Sequence, residues 1–149
     1  MATDTLQDLA SAFAAALNEH DIDALRAIIH PDYINHNAYV GGIGPDTAVS
    51  FFSDWLAAFP DGEVVCEDSM SVGTLSDGTV VGRYTYLGTF KNPIMGFEPT
   101  GKRTVMRSID IWRVRDGRLF EHWDELNTAD WFAQLQGAEP QRRTGATEA

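Results

Sequence analysis

The apolar residues of this chain change their spacing once, at Pro60-Asp61-Gly62, and this change restricts the fold more than any other feature. Before it, apolar residues recur every three or four positions, which is typical of helices that bury one face. After it, segments rich in Val, Ile, Thr and aromatic residues alternate, which predicts strands at 63–73, 79–91, 102–115 and 118–126. Helices followed by a run of antiparallel strands predict an α+β fold.

Three helices are predicted before the strands and one after them. The first has its apolar stripe at Leu6, Leu9, Phe13 and Leu17. The second begins at Asp21 as N-cap and ends before Pro31, since a proline disfavours helix in the residue before it. The third begins near Pro45 and stops at Pro60, and a last short helix begins near Thr128.

Length and charge bound the class of protein. At roughly 150 residues per domain, we expect residues 1–136 to form one domain and the apolar-poor residues 137–149 to form a mobile tail. The net charge of −11 argues against nucleic acid and anionic membranes as partners. No apolar stretch approaches the roughly 20 residues that a membrane helix needs, and the acidic N-terminus lacks the basic start of a secretory signal. We therefore expect a soluble, cytoplasmic protein.

Metal and disulfide chemistry are not expected from the sequence. Cys66 is the single cysteine, so no internal disulfide can form. The four histidines show no HExxH or comparable metal-binding spacing, so we predict no metal site.

Two Asp-Gly pairs, Asp77-Gly78 and Asp116-Gly117, predict hairpin turns. The register at the second turn decides which side chains meet. A tight two-residue turn would place Arg115 opposite Arg118. A type I turn followed by a left-handed Gly117 would add a bulge and place Val114 opposite Arg118.

We favour the bulged register because it places unlike charges opposite each other. Its cross-strand pairs are Asp110–His122, Ser108–Asp124 and Arg107–Glu125. One face then carries two carboxylates and an imidazole among apolar groups: Met106, Ser108, Asp110, Trp112, Phe120, His122, Asp124 and Leu126. The other face mixes apolar and charged groups, as subunit interfaces often do. In the tight register Arg107 would join the face of Asp124 and become a catalytic candidate.

The first face predicts acid–base chemistry. Burial raises the pKa of a carboxylate, and a second carboxylate nearby raises it further. Such a group can take a proton from carbon or water near neutral pH and return it later. Asp124 and Asp110 are the candidate acid/base groups, and His122 would orient Asp110 or share its proton. The alternative is a buried Asp–His pair that only satisfies its own hydrogen bonds, with Asp124 ending the strand or capping the next turn.

Other residues are candidates for binding the substrate. The predicted set is Tyr33, His36, Asn37, Trp55, Met106, Ser108, Trp112 and Phe120. For the first three the alternative is a loop whose polar groups bind its own backbone. For Trp55 the alternative is a place in the core. The segment 91–97 is either a lid over a cavity mouth or a subunit contact.

Several motifs, taken in order, resemble those of the SnoaL-like polyketide cyclases within the nuclear transport factor 2-like superfamily. They are Tyr33-Ile34-Asn35-His36, Pro99-Thr100-Gly101-Lys102-Arg103, Ile109-Asp110-Ile111-Trp112-Arg113, Asp116-Gly117-Arg118 and Glu121-His122-Trp123-Asp124. The resemblance covers roughly residues 5–136. It implies a cone-shaped, mostly antiparallel mixed sheet wrapped around three N-terminal helices, with a deep cavity. It also implies a homodimer or homotetramer packed through the outer face of the sheet.

The resemblance also implies an activity. Well-studied members close the last ring of aromatic polyketides by an intramolecular aldol condensation without metal or cofactor. Their acid/base is an aspartate on the last strand, which matches Asp124; where Asp110 stands here, at least one such cyclase has a histidine. We therefore expect a cofactor-independent cyclase of a small hydrophobic polycarbonyl or polycyclic substrate. The alternatives are an epoxide hydrolase, in which an aspartate activates water, and a non-catalytic small-molecule binding protein of the same fold.

Overall fold

Residues 2–142, which the computed structural model describes, contain four helices and one six-stranded sheet. The helices are α1 (Leu6–Asn18), α2 (Ile22–Ala27), α3 (Asp46–Ala58) and α4 (Thr128–Leu135). The strands are β1 (Ile29–Asn35), β2 (Gly42–Ile43), β3 (Glu63–Gly73), β4 (Asp77–Thr89), β5 (Arg103–Arg115) and β6 (Arg118–Leu126). The prediction of an α+β fold with three helices before the long strands is confirmed.

The helix starts follow from their capping residues. At α1, Thr5 Oγ1 accepts from the N–H of Asp8, and the Asp8 carboxylate accepts from the N–H of Thr5. At α2, the Asp21 carboxylate accepts from the N–H of Ala24, as predicted. The predicted end of α2 is wrong: the helix stops at Ala27, and Ile29 begins a strand.

The sheet has the strand order β2-β1-β6-β5-β4-β3. β1 runs parallel to β6, and every other neighbouring pair is antiparallel. β1 was not predicted as a strand, and Pro31 lies within it. Its pairing with β6 is irregular, since the register shifts between Ile29 and Ile34. Backbone hydrogen bonds to β6 flank β1 on both sides: the N–H of Leu119 donates to the carbonyl of Ile28, and the N–H of His36 donates to the carbonyl of His122.

The turn between β3 and β4 differs from the prediction. Asp77 and Gly78 lie in the ladder, Gly73 pairs with Gly78, and the N–H of Thr74 donates to the carbonyl of Asp77. A side chain at Gly78 would bring a Cβ within 2.5 Å of the Thr74 carbonyl oxygen. The glycine is therefore explained by close packing of the backbone rather than by the centre of a turn.

The helices cover the inner face of the sheet and leave the outer face open. α1 packs on β3 and β4, and α4 packs on β5. On the outer face of β5, Ile109 is 51% exposed and Ile111 is 40% exposed. No helix within the described range is long and apolar enough to cross a bilayer.

The predicted tail is only partly described. Residues 137–142 return to the domain: the Lys102 ammonium donates to the carbonyl of Gly137, and the N–H of Gln141 donates to Asp130. Residues 143–149 lie outside the described residues.

Candidate active site

The turn between β5 and β6 is tight. Asp116 and Gly117 both have positive φ, 53° and 74°, the combination that a type I′ hairpin requires. Arg115 therefore lies opposite Arg118. The bulged turn, which would have placed Val114 opposite Arg118, is wrong.

A bulge does occur, but it lies further along, at Phe120. Leu119 pairs with Val114, whereas Glu121 already pairs with Arg113, so Phe120 is the extra residue of β6. Because a bulge shifts the register by one residue, it exchanges which side chains point inward. Leu119 therefore lies on the inner face, where Phe120 was predicted.

The bulge also changes which charged residues are opposite each other. The predicted pairs Asp110–His122, Ser108–Asp124 and Arg107–Glu125 are replaced by Asp110–Asp124, Trp112–His122, Ser108–Leu126 and Ile109–Glu125. Asp110 pairs with a residue two positions further along β6 than predicted. An even displacement keeps each side chain on its side, so the predicted inner face is retained apart from Phe120. Two carboxylates are thus directly opposed, an arrangement that a stable sheet ordinarily avoids.

Arg107 stays on the outer side. Its guanidinium lies 3.7 Å from the carboxylate of Asp130 on α4. It does not line the pocket. The bulge therefore removes the catalytic role that a tight register alone would have given Arg107.

A pocket opens between the inner face of the β5–β6 hairpin, β1, α3 and α4. With its mouth it encloses about 770 Å³ free of atoms, and its wall is mostly apolar and aromatic. A mostly apolar wall with a few polar groups at one end is typical of small-molecule sites. The predicted residues that line it are Tyr33, Asn37, Met106, Ser108, Asp110, Trp112, His122 and Asp124.

Three predicted substrate-binding residues do not line the pocket. His36 stacks on Trp123 at 4.9 Å between ring centroids, and its Nε2 lies 3.0 Å from Glu121. Trp55 is buried in the core, 5.8 Å from the ring of Tyr86. Phe120, turned by the bulge, packs against the His30 ring and beneath the Arg115 guanidinium.

The polar end of the pocket is a hydrogen-bonded cluster. His122 Nε2 lies 2.7 Å from Asp110 Oδ1 and 4.0 Å from Asp124 Oδ2. The hydroxyl of Ser108 donates to the other oxygen of Asp110. The Trp112 ring stacks on the imidazole at 5.2 Å. Because Asp110 and His122 are buried, this geometry is held by packing as well as by hydrogen bonds.

Asp124 lies at the edge of this cluster. The Nδ2 of Asn37 donates to both of its oxygens, at 3.0 and 2.9 Å. Burial raises the pKa of Asp124 and Asp110 raises it further, whereas the imidazole of His122 and the Asn37 hydrogen bond oppose the shift. A carboxylate with a raised pKa, facing an apolar cavity, is suited to taking a proton from a substrate.

Buried tyrosines extend the polar cluster. Burial raises the pKa of Tyr33 and of Tyr86 well above the ordinary range, and the charge of Asp110 adds to both shifts. Both hydroxyls therefore stay protonated and neutral. The hydroxyl of Tyr86 lies 3.5 Å from that of Ser108, which connects it to Asp110.

Sequence reasoning missed Asn35 and Trp131 as well as Tyr86. Asn35 is buried on β1, and its Oδ1 lies 3.0 Å from His122 Nδ1. If β1 had been predicted as a strand, alternation would have placed Tyr33, Asn35 and Asn37 on the same face. Trp131 on α4 lines the pocket, and its Nε1 has no hydrogen-bond partner in the described part of the chain.

Asp110, His122 and Asp124 also place one potential ligand atom each within 4.8 Å of one another. However, His122 Nε2 and Asp110 Oδ1 are joined by a hydrogen bond at 2.7 Å, so these two atoms point at each other and not at a shared metal position. The arrangement fits a proton-sharing network better than a ligand set. The absence of a metal stays a prediction.

Comparison with known proteins points to one family. The model of the SnoaL-like polyketide cyclase family matches residues 7–135. TsrD from Streptomyces laurentii is similar in structure, with a TM-score of 0.78 and 29% identity over 89% of this chain and 96% of that one. AclR, a proposed hydroxylase from Streptomyces galilaeus, has a TM-score of 0.76 and 25% identity over the same shares. IdmH, a proposed polyketide cyclase from Streptomyces antibioticus, has a TM-score of 0.67 and 29% identity over 87% and 97%. No curated protein matches the chain.

Proposed function

The chain belongs to the SnoaL-like polyketide cyclase family, and on that premise we propose that it is a cofactor-independent cyclase that closes a ring by an intramolecular aldol condensation. The observation that carries this proposal is the position of Asp124. It is a partly desolvated carboxylate with a raised pKa, beside a hydrogen-bonded His122–Asp110 pair and in an apolar pocket. The substrate would carry a ketone or aldehyde and an acidic C–H group.

The reaction begins with Asp124 as the base. It removes a proton from the acidic carbon and leaves an enolate delocalised over the substrate. The enolate carbon attacks the carbonyl carbon, which forms the C–C bond and converts the carbonyl oxygen to an alkoxide. A proton then returns to the alkoxide from Asp124 or from the His122–Asp110 pair. Proton transfer of this kind contributes about 10²–10⁴-fold, so positioning by the pocket must supply much of the remaining acceleration.

The wall of the pocket supports a flat, carbonyl-bearing substrate. Rings of Phe52, Tyr86 and Trp112 line it and offer surfaces for aromatic contact. Trp131 belongs to the same wall, and among residues 2–142 its buried Nε1 donor finds no hydrogen-bond partner. A buried donor without a partner is costly, and a substrate carbonyl oxygen is the kind of group that would satisfy it.

Two opposed carboxylates also suit a second reaction, hydrolysis of an epoxide. One carboxylate would activate water while the other protonated the ring oxygen. The pairing of Asp110 with Asp124 across the hairpin is the observation that favours it. The outward position of Arg107 removes the arginine that such hydrolases place between their acids, so the cyclase is preferred.

The test is turnover by wild type and Asp124→Asn on aromatic polyketide methyl esters and on terpene and aryl epoxides in oxygen-18 water. Glu125→Gln is the matched control, because Glu125 is the exposed neighbouring carboxylate of the same strand. We expect conversion of a polyketide ester without uptake of label, reduced about 10²–10⁴-fold by Asp124→Asn. Glu125→Gln should change it far less, because it removes only one of the charges that raise the pKa of Asp124. A labelled diol would indicate a hydrolase. Tight binding with no product from any substrate would indicate a binding protein.

We further propose that a second copy of the chain covers the outer face of the sheet, giving a homodimer or a dimer of dimers. That face places exposed Ile109 and Ile111 beside charges of both signs, such as Arg113 and Glu121. A self-complementary surface of this kind is what a two-fold interface requires. Sedimentation velocity should show a dimer or tetramer that Ile111→Glu shifts towards the monomer. A wild-type monomer at high concentration would contradict this.

A further inference from the structure

The side-chain amide of Asn35 has its orientation set by two backbone groups. Its Nδ2 donates to the carbonyl of Thr47 at 3.3 Å, and its Oδ1 accepts from the N–H of Asn37 at 3.0 Å. A carbonyl can only accept and an N–H can only donate, so exchanging the two amide atoms would break both bonds. Asn35 is 5% exposed, so the protein itself supplies the partners of this amide.

This orientation fixes a proton on His122. The acceptor Oδ1 of Asn35 faces His122 Nδ1 at 3.0 Å, so Nδ1 must carry a hydrogen and donate it. On the other side of the ring, Nε2 faces Asp110 Oδ1 at 2.7 Å. With no proton between them, two lone pairs would be opposed at that distance. The pair therefore holds one further proton, either as imidazolium and carboxylate or as imidazole and carboxylic acid.

Without the Asn35 oxygen, His122 could adopt a different protonation state. A neutral imidazole could then keep its single hydrogen on Nε2 and donate it to an ionised Asp110. That arrangement satisfies the same 2.7 Å contact with one proton fewer. In that state the pair could donate a proton only by converting the neutral imidazole to an imidazolate anion. The acceptor on Asn35 excludes this state.

We infer that Asn35 is a positioning residue, which keeps the His122–Asp110 pair loaded with the proton that the reaction delivers to its product. The catalytic meaning of this inference rests on the proposed function, in which Asp124 takes the proton from carbon. The pair then protonates the alkoxide and is left as an imidazole with hydrogen on Nδ1 and an Asp110 carboxylate. The proton on Asp124 moves to Nε2, which lies 4.0 Å from Asp124 Oδ2, and reloads the pair. One proton leaves carbon, one reaches oxygen, and the protein gains and loses none.

Reloading is favoured by the same geometry. After the pair has given up its proton, the lone pairs of Nε2 and Asp110 Oδ1 face each other, and the neighbouring Asp124 is a neutral acid. A shift of about 1 Å brings Asp124 within hydrogen-bond distance of Nε2. Transfer then converts an unfavourable contact back into a hydrogen bond and restores Asp124 as the base.

The test is the position of the imidazole hydrogens, read from long-range ¹H–¹⁵N correlation spectra of the labelled full-length chain near neutral pH. The variants are Asn35→Leu, which removes the acceptor, and Asn35→Asp, which keeps an oxygen for Nδ1. The matched control is Asn18→Leu: the Asn18 amide also bonds the backbone in both directions, at Val64, but away from the pocket. We expect a protonated Nδ1 on His122 in wild type, Asn35→Asp and Asn18→Leu. In Asn35→Leu we expect the hydrogen on Nε2 and a bare Nδ1.

An unprotonated Nδ1 in wild type would overturn the inference, as would a folded Asn35→Leu protein that keeps Nδ1 protonated. If Asn35→Leu does not fold, the wild-type and Asn35→Asp spectra still test the inference, because an unprotonated His122 Nδ1 in either would overturn it. These spectra need no substrate, so a failed cyclase assay leaves their result intact. Conversely, turnover by a protein whose His122 Nδ1 is bare would leave Asp124 as the base and remove only the role given to Asn35.

Discussion

The two faces of the β5–β6 hairpin both carry charges, and they hold them in different ways. On the inner face, Asp110 and His122 are buried and joined at 2.7 Å, with Asp124 close by. On the outer face, Arg113 lies 3.9 Å from Glu121, and its side chain is 66% exposed. Burial removes the solvent that screens charges, so the inner contacts are strong and also costly to disturb. The difference teaches that charged residues at alternate positions of the same two strands can form either a buried hydrogen-bonded cluster or a solvated surface.

The largest effect is expected from breaking the inner pair. Asp110→Ala leaves His122 and Ser108 without their buried partner, and removing one member of such a pair typically costs about 3–5 kcal/mol. Urea unfolding at neutral pH measures it. A loss below about 1 kcal/mol would show that the inner cluster is as weakly coupled as the outer one.

The bulge at Phe120 predicts which of two adjacent apolar residues supports the inner face. Leu119 is 1% exposed, so Leu119→Ala should cost about 2–5 kcal/mol. Phe120→Ala should cost less, although it removes a larger side chain, because Phe120 is only half-buried against His30 and Arg115. Equilibrium unfolding of the two variants gives the order. The reverse order would favour a hairpin without the bulge.

The pH dependence of folding stability tests the inner face through Asp124. Burial raises its pKa in the folded protein, so its contribution to stability is present at low pH and is lost as the pH rises through the raised value. Asp124→Asn should therefore have a higher Tm than wild type at about pH 7. The difference should shrink as the pH falls towards the ordinary carboxyl value of about 3.9. Calorimetry across this range tests the sign, and a lower Tm for the variant at neutral pH would contradict it.

The same carboxylate should govern the pH dependence of turnover. In the proposed mechanism Asp124 acts as a base only when it is ionised, so kcat/KM should rise with pH through its raised pKa. The acid limb should therefore lie above the ordinary carboxyl range. A limb at or below that range would show that the base is a carboxylate with an unshifted pKa.

The smallest effect is expected on the outer face. Arg113→Ala removes the exposed contact with Glu121 and a 5.6 Å approach to the Trp123 ring. Exposed pairs of this kind contribute about 0–1 kcal/mol, and salt reduces them further. Denaturant unfolding at low and high ionic strength checks both points. A loss as large as that of Asp110→Ala would remove the distinction between the faces.

Patterns along the chain predicted the elements well where they depend on local chemistry. The strands at 63–73 and 118–126 have the predicted bounds, and the Asp21 cap starts α2 where expected. The inner face of β5 follows from strict alternation, which holds wherever a strand is regular. The family motifs matched the fold and led to the candidate Asp124.

The tertiary structure decided what depends on partners distant in sequence. β1 is a strand because β6 offers it a parallel neighbour, and nothing within Ile29–Asn35 indicates that neighbour. Because β1 was missed, so was Asn35, whose contact with His122 joins residues 87 positions apart. The site of the bulge was also missed. Charge pairing favoured an arrangement with unlike charges opposed, whereas the folded hairpin opposes Asp110 and Asp124.

The sequence by itself thus determined which residues alternate towards a common face, because side-chain direction in a strand is a local property of the backbone. It could not determine how far one strand slides along the next, or which amide fixes which imidazole. These depend on the sum of many long-range contacts, in which burying Leu119 and closing the cluster around His122 outweigh one unfavourable charge pair. That sum is available only once the chain has folded.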